Sequence, residues 1–174
     1  MRVYLPATTP VLRRLVETSE FGPAPLTAFA VTPGLREWYV DDDVESLEYA
    51  AMLEAARASL RLLAADRAAA ARRVVIAAEL PDAVVTVRDD LDLGVVRVAY
   101  PVSLQQVVSV HVDDRDAEPV VRAASALIDA ADLGDSDASD AVDDTEGFDL
   151  AWYANQEIAA LLESLTAPGE PSRG

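Results

Sequence analysis

The sequence predicts an α/β or α+β fold: one domain with a mixed five- to six-stranded sheet, a long central helix, and a C-terminal helix packed back on the core. Three observations carry that prediction. The chain has 174 residues, 51% of them apolar, which suffices for one hydrophobic core of ordinary size. Short Val-rich segments with strand-like alternation recur from residue 2 to residue 112, broken by Pro, Gly and Asp. Between them lies the stretch from Asp43 to Asp66, containing VESLEYAAMLEAARASLRLLAAD, without Gly or Pro and dense in Ala, Leu, Glu and Arg, the strong helix formers.

In chain order, Val3 and Leu5 alternate with Arg2 and Tyr4, as in a strand. Thr9-Pro10 reads as N-cap and first turn of a short helix, VLRRLVET, ended by Phe21-Gly22-Pro23. LTAFAVT (26–32) is the next strand, and Thr32-Pro33 repeats the helix-opening device before LREWY. Strands linked by helices in this way are expected to run parallel, with right-handed crossovers. Asp42 or Asp43 caps the central helix, and Asp42 with Glu45 has capping-box spacing. Val44, Leu47, Ala51, Ala55, Ala58 and Leu62 form one apolar stripe, with Leu53, Ala56, Leu60 and Leu63 beside it. A surface that wide predicts a helix covered on more than one side. RRVVIAAEL (72–80) is a third strand, and VVTVR (84–88) with GVVRVAY (94–100) predicts an antiparallel pair across an Asp-rich turn. VVSVHV (107–112) is the last predicted strand, with Val108, Val110 and Val112 on one face, and 118–132 is an amphipathic helix.

The predicted core is 1–132, followed by an acidic flexible linker over 133–148, a helix over 149–166 returning to the core, and a disordered tail over 167–174. Leu150, Ala154, Ile158, Leu161 and Leu165 supply the last helix with one apolar face.

Charge is distributed unevenly. The net charge is −17, yet residues 123–172 hold twelve acids and no basic residue. That pattern marks an acidic C-terminal segment rather than an evenly acidic surface. Nucleic acid is a poor partner for such a field, because binding requires Lys or Arg against phosphates. Cys is absent, which excludes disulfides, thiolate metal sites and Cys nucleophiles. No signal peptide or membrane-spanning run is read, so a cytoplasmic protein away from membranes is expected. P-loop, GxGxxG and HExxH motifs are absent from the sequence, so no cofactor is expected.

The blocks MRVYLPAT, LTAFAVTPGLREWY, LEYAAMLEAARASLRLLA, VVSVHVDD and DLAWYANQEIAALL, covering most of the chain, resemble an uncharacterised actinobacterial family of conserved hypothetical proteins. The resemblance implies a bacterial cytoplasmic protein with one compact domain, and it brings no activity, cofactor or catalytic residue.

His111 is the only histidine and thus the only conventional general base near neutral pH. Ser109, His111 and Asp113 alternate onto one strand face, which raises a triad, but no GxSxG elbow or oxyanion loop accompanies them. His111 with Asp113 or Asp114 is a partial metal set without a third ligand. The favoured alternative is a strand-end histidine hydrogen-bonded to a carboxylate. Asp135, Asp137, Ser139, Asp143 and Glu146 have EF-hand loop spacing, although Asp140 stands where the turn wants Gly. Two aromatic pairs, Trp38-Tyr39 in a short helix and Trp152-Tyr153 in the last one, suit a pocket or interface, with Arg36, Glu37, Gln156 and Glu157 beside them. The expectation is a non-enzymatic interaction or regulatory protein with a protein partner left unnamed and an oligomeric state left open. The alternative is a small-molecule-binding protein or metal-dependent enzyme with His111 in its site.

Overall fold

A computed structural model describes residues 1–39 and 43–166. In chain order the elements are β1 (Arg2–Ala7), α1 (Thr9–Thr18), β2 (Glu20–Phe21), β3 (Leu26–Phe29), α2 (Pro33–Trp38), α3 (Val44–Ala65), β4 (Val74–Glu79), β5 (Val85–Val87), β6 (Val95–Val98), β7 (Val102–Ser103), β8 (Val107–Asp113), α4 (Glu118–Asp132), α5 (Ser136–Asp143), β9 (Leu150–Ala154) and α6 (Ile158–Thr166). Seven strands form one sheet in the order β5-β6-β3-β1-β4-β8-β9, and β2 pairs with β7 in a small second sheet. The mixed α/β class, the long helix and the returning C-terminal helix are present as the sequence predicted.

The expected parallel pairing of β1 with β3 is corrected: every neighbouring pair is antiparallel. After α1 the chain crosses through β2, and Ser19–Pro25 is long enough, at ~3.3 Å per residue, to return it about 20 Å before β3 begins. β3 and β4 do run in the same direction, since each is antiparallel to β1, but β1 lies between them. A β-bulge opposite Ala77 and Ala78 also breaks the predicted Val108, Val110, Val112 face. The extra residue turns Val108 outward while Val107 and Val110 stay buried.

Helix starts follow the Thr-Pro device with one shift. Thr8, not Thr9, caps α1, its hydroxyl accepting from the Val11 amide, whereas Thr32 caps α2 as expected. Asp43 is the N-cap of α3 and receives a hydrogen bond from the Ser46 hydroxyl at 3.1 Å. The Asp42 half of the capping box lies outside the described residues, as does the predicted tail.

α3 is covered on two sides, as its two stripes require. Ala51, Met52 and Ala55 press on Tyr4, Phe29, Val75 and Val95 of the sheet. Leu60 and Leu63 pack instead on Val121 and Ile128 of α4. Each fully buried Leu of this kind contributes roughly 1.5–3 kcal/mol of burial free energy. The other sheet face holds Val3, Leu5, Ile76 and Val110 under Leu12 and Leu15 of α1 and Ile158 of α6.

Two segments differ from the sequence prediction. Residues 133–148, expected as a solvated linker, contain α5, capped by Asp135 through a 2.8 Å bond to the Ala138 amide. Ala138 and Val142, one turn apart, are buried against α4. Residues 150–154, expected as the first turns of the last helix, form β9 against β8. Among the described residues no helix is long and apolar enough to cross a membrane.

Candidate functional site

The sheet register brings together residues far apart in sequence. His111 on β8 stands opposite Val75 on β4 and Trp152 on β9, and Ser109 stands opposite Ala77 and Ala154. Tyr4 on β1 is opposite Ala77 in turn. Residues opposite one another share a sheet face, so Tyr4, Ser109, His111 and Trp152 all point to the side that α3 partly covers. The first turns of α3 complete the enclosure: Glu45, Glu48, Tyr49 and Met52 lie along one helical stripe and form a wall facing Trp152. The result is an open groove of about 250 Å³ at the end of the sheet.

Its two outer aromatics are well exposed, Trp152 at 59% and Tyr49 at 52%. Tyr4 at the floor is buried, and burial, reinforced by the Glu48 charge, pushes its hydroxyl up to about 12. Arg2 at one end is held by Glu79 at 2.9 Å. Among the described residues Glu45 and Glu48 have no ion-pair partner, so the wall carries uncompensated negative charge. Burial lowers the His111 pKa below its ordinary range, which keeps the imidazole neutral at pH 7. Its ring Nε2 lies 3.4 Å from the Ser109 hydroxyl.

Asp113 does not join this group. Its carboxylate takes the Arg73 side-chain Nε–H and Nη2–H and the Arg73 backbone amide, all at 2.8 Å. The pair is buried, with side-chain exposures of 3% for Arg73 and 0% for Asp113. Both carboxylate oxygens are thus engaged, and Ser109, His111 and Asp113 are not assembled as a triad. Asp114 is exposed beyond the strand end. Among the described residues no three His, Asp or Glu side chains are grouped for a metal. Asp135 is a helix cap, and Asp137, Ser139 and Asp143 lie on a helix rather than a loop, where alternate residues point to different sides. The EF-hand spacing therefore does not converge.

The predicted aromatic pairs part company. Trp38 is 71% exposed at the end of α2, among exposed Arg36 and Glu37. Tyr39 lines a separate concavity of about 270 Å³, to which Tyr49, Arg57 and Glu146 also contribute. Trp152 belongs to the groove, whereas Tyr153 alternates to the opposite sheet face and packs on the main core. Gln156 and Glu157 are exposed in the turn after β9. The residue that matters in that turn is Asn155, whose side-chain amide donates to the carbonyls of Leu104 at 2.8 Å and Val107 at 2.7 Å, fixing the end of β9.

A family model described as a family of unknown function, DUF6912, matches residues 1–162. The chain belongs to that family. The DUF6912 match spans the whole groove, from Arg2 to Trp152, and ends within α6. It attaches no activity to the groove. No curated protein and no solved structure matches the chain.

Of the residues that line the groove, the sequence reading named His111 and Trp152 as pocket or interface candidates, weighed Ser109 only for a triad, and did not name Tyr4, Glu45, Glu48 or Tyr49. A signal for the last three was present: Glu45, Glu48, Tyr49 and Met52 follow helical spacing and interrupt the Ala-Leu composition of α3 with a polar, aromatic stripe.

Proposed function

We propose that this protein is a non-enzymatic interaction protein whose recognition surface is the groove between the start of α3 and the β8–β9 end of the sheet. The observation that carries the reading is the grouping of two exposed aromatics, Trp152 and Tyr49, with two carboxylates, Glu45 and Glu48, that have no ion-pair partner among the described residues, around one concavity. Aromatic faces and carboxylates together attract an ammonium or guanidinium group. The groove therefore suits a cationic side chain presented by a partner protein. His111, neutral at pH 7, adds no opposing charge. Catalysis has less support: the only histidine lies beside a serine hydroxyl, no carboxylate is hydrogen-bonded to its ring among the described residues, and Asp113 is committed to Arg73.

The test uses Trp152 as reporter in a Trp38→Phe background, titrated with acetyl-arginine amide and with its neutral citrulline counterpart. Saturable fluorescence change with the arginine compound alone, lost in Glu45→Gln/Glu48→Gln, is the expected result. Equal responses to both compounds sink the reading.

A further inference from the structure

The groove lies against the end of the sheet, and the end strand lacks the devices that ordinarily keep an edge from pairing. β9 is Leu-Ala-Trp-Tyr-Ala: five residues without charge or proline, in unbroken register with β8. Natural edges are blunted by charge, proline, bulges or brevity. The opposite edge shows one of these, since β5 has only three residues. Along β9, Ala151 and Trp152 are exposed and the other three residues are half-buried.

Resting on the groove reading above, we propose that β9 is a docking edge for an extended basic segment of a partner protein, which adds as a further strand and lays an Arg or Lys side chain over Trp152 toward Glu45 and Glu48. Strand addition gains affinity from main-chain hydrogen bonds and specificity from alternate side chains. A residue paired opposite Trp152 stands about 4.8 Å farther out on the same face, so a long cationic side chain reaches the indole and the carboxylates behind it.

Charge selects the occupant. A second copy of this chain carries the same net charge of −17. Antiparallel edge-to-edge pairing of two β9 strands would also bring the exposed Asp149, just before the strand, toward the turn that carries the exposed Glu157 of the other copy. Like charges across paired strands are destabilising. A basic strand meets the same field with the opposite sign, and its association is accelerated by it.

The experiment uses the full chain carrying Trp38→Phe and three short acetylated, amidated peptides. One alternates Val and Arg, one replaces Arg by citrulline, and one keeps Arg but is N-methylated along a single strand edge. Binding is read by Trp152 fluorescence and by hydrogen exchange at residues 150–154. The expected result is that the parent peptide binds and slows exchange there, while either alteration, or Glu45→Gln/Glu48→Gln in the protein, weakens binding about tenfold. An N-methylated peptide as tight as its parent, beside a weak citrulline peptide, overturns strand addition and leaves the cation-binding groove standing. Three peptides binding alike, indifferent to the Gln substitutions, overturn both. A chain that sediments as a dimer with 150–154 protected overturns the choice of a basic partner over a second copy.

Discussion

Asp113→Asn should be among the most damaging near-isosteric substitutions in this chain. The carboxylate accepts three hydrogen bonds at 2.8 Å from Arg73, and neither side chain has appreciable contact with water. Asparagine keeps the shape but removes the charge and replaces one acceptor oxygen by an NH2 donor, so the buried guanidinium is left with a single amide oxygen and the Thr145 and Phe148 carbonyls as acceptors, and no counter-charge. Two unit charges about 4 Å apart attract by about 4 kcal/mol at an effective dielectric near 20. Breaking one side of a buried pair has a typical cost of about 3–5 kcal/mol. With a urea dependence of about 2 kcal/mol per molar, the unfolding midpoint should fall by roughly 1.5–2.5 M. Arg73→Met/Asp113→Leu should recover much of that loss, because no uncompensated charge remains buried. Because Arg73 also holds the carbonyls after α5, hydrogen exchange should quicken first at 144–149. A midpoint shift below about half a molar, or a double variant no more stable than the single, refutes the reasoning.

Two further outcomes follow from other buried groups. Ser59, fully buried on α3, donates to the Ala7 carbonyl at 2.7 Å and accepts from the Val74 amide at 3.2 Å, so Ser59→Ala strands two backbone groups. Urea denaturation should show a loss of about 1–3 kcal/mol, and a loss below about half a kcal/mol counts against the contact. His111 binds its proton less readily folded than unfolded, so stability should fall as pH drops from about 7 through the ordinary histidine range toward its lowered value. His111→Gln should flatten that part of the profile, and superimposable slopes for the two proteins contradict the burial argument.

The parts of the fold legible in the sequence were those whose local pattern and tertiary environment agree. α4 occupies 118–132 as predicted, because Val121, Ala124, Ile128 and Ala131 lie on one stripe and that stripe is the one buried. β5 and β6 pair across the Asp-rich turn for a similar reason: alternation and turn chemistry point the same way. β9 was misread because Leu150 and Ala154 continue the helical face of Ile158, Leu161 and Leu165 as well as they fit a strand, and the open side of β8 decided between them. α5 carried its own signals, an Asp cap and the Ala138–Val142 step, but these were obscured by acids that read as a solvated segment. In the groove, His111 and Trp152 are 41 positions apart and meet only through the β8–β9 register. The capture of Asp113 by Arg73 is likewise a matter of register, since Arg73 immediately precedes Val74, the partner of Val112.

These same polar contacts bear on why β9 suits recognition. Its approach is held where Arg73 donates to the Phe148 carbonyl at 2.9 Å, and its exit is held where Asn155 reaches the Leu104 and Val107 carbonyls. A strand fixed at both ends has already lost the conformational freedom that binding would otherwise take from it, at roughly 1–2 kcal/mol per ordered backbone residue. A partner strand then bears only its own ordering cost. The acidic surroundings complete the logic. An apolar, unguarded edge is a self-association hazard, and here the negative field around it disfavours a like copy while leaving the edge open to a basic one.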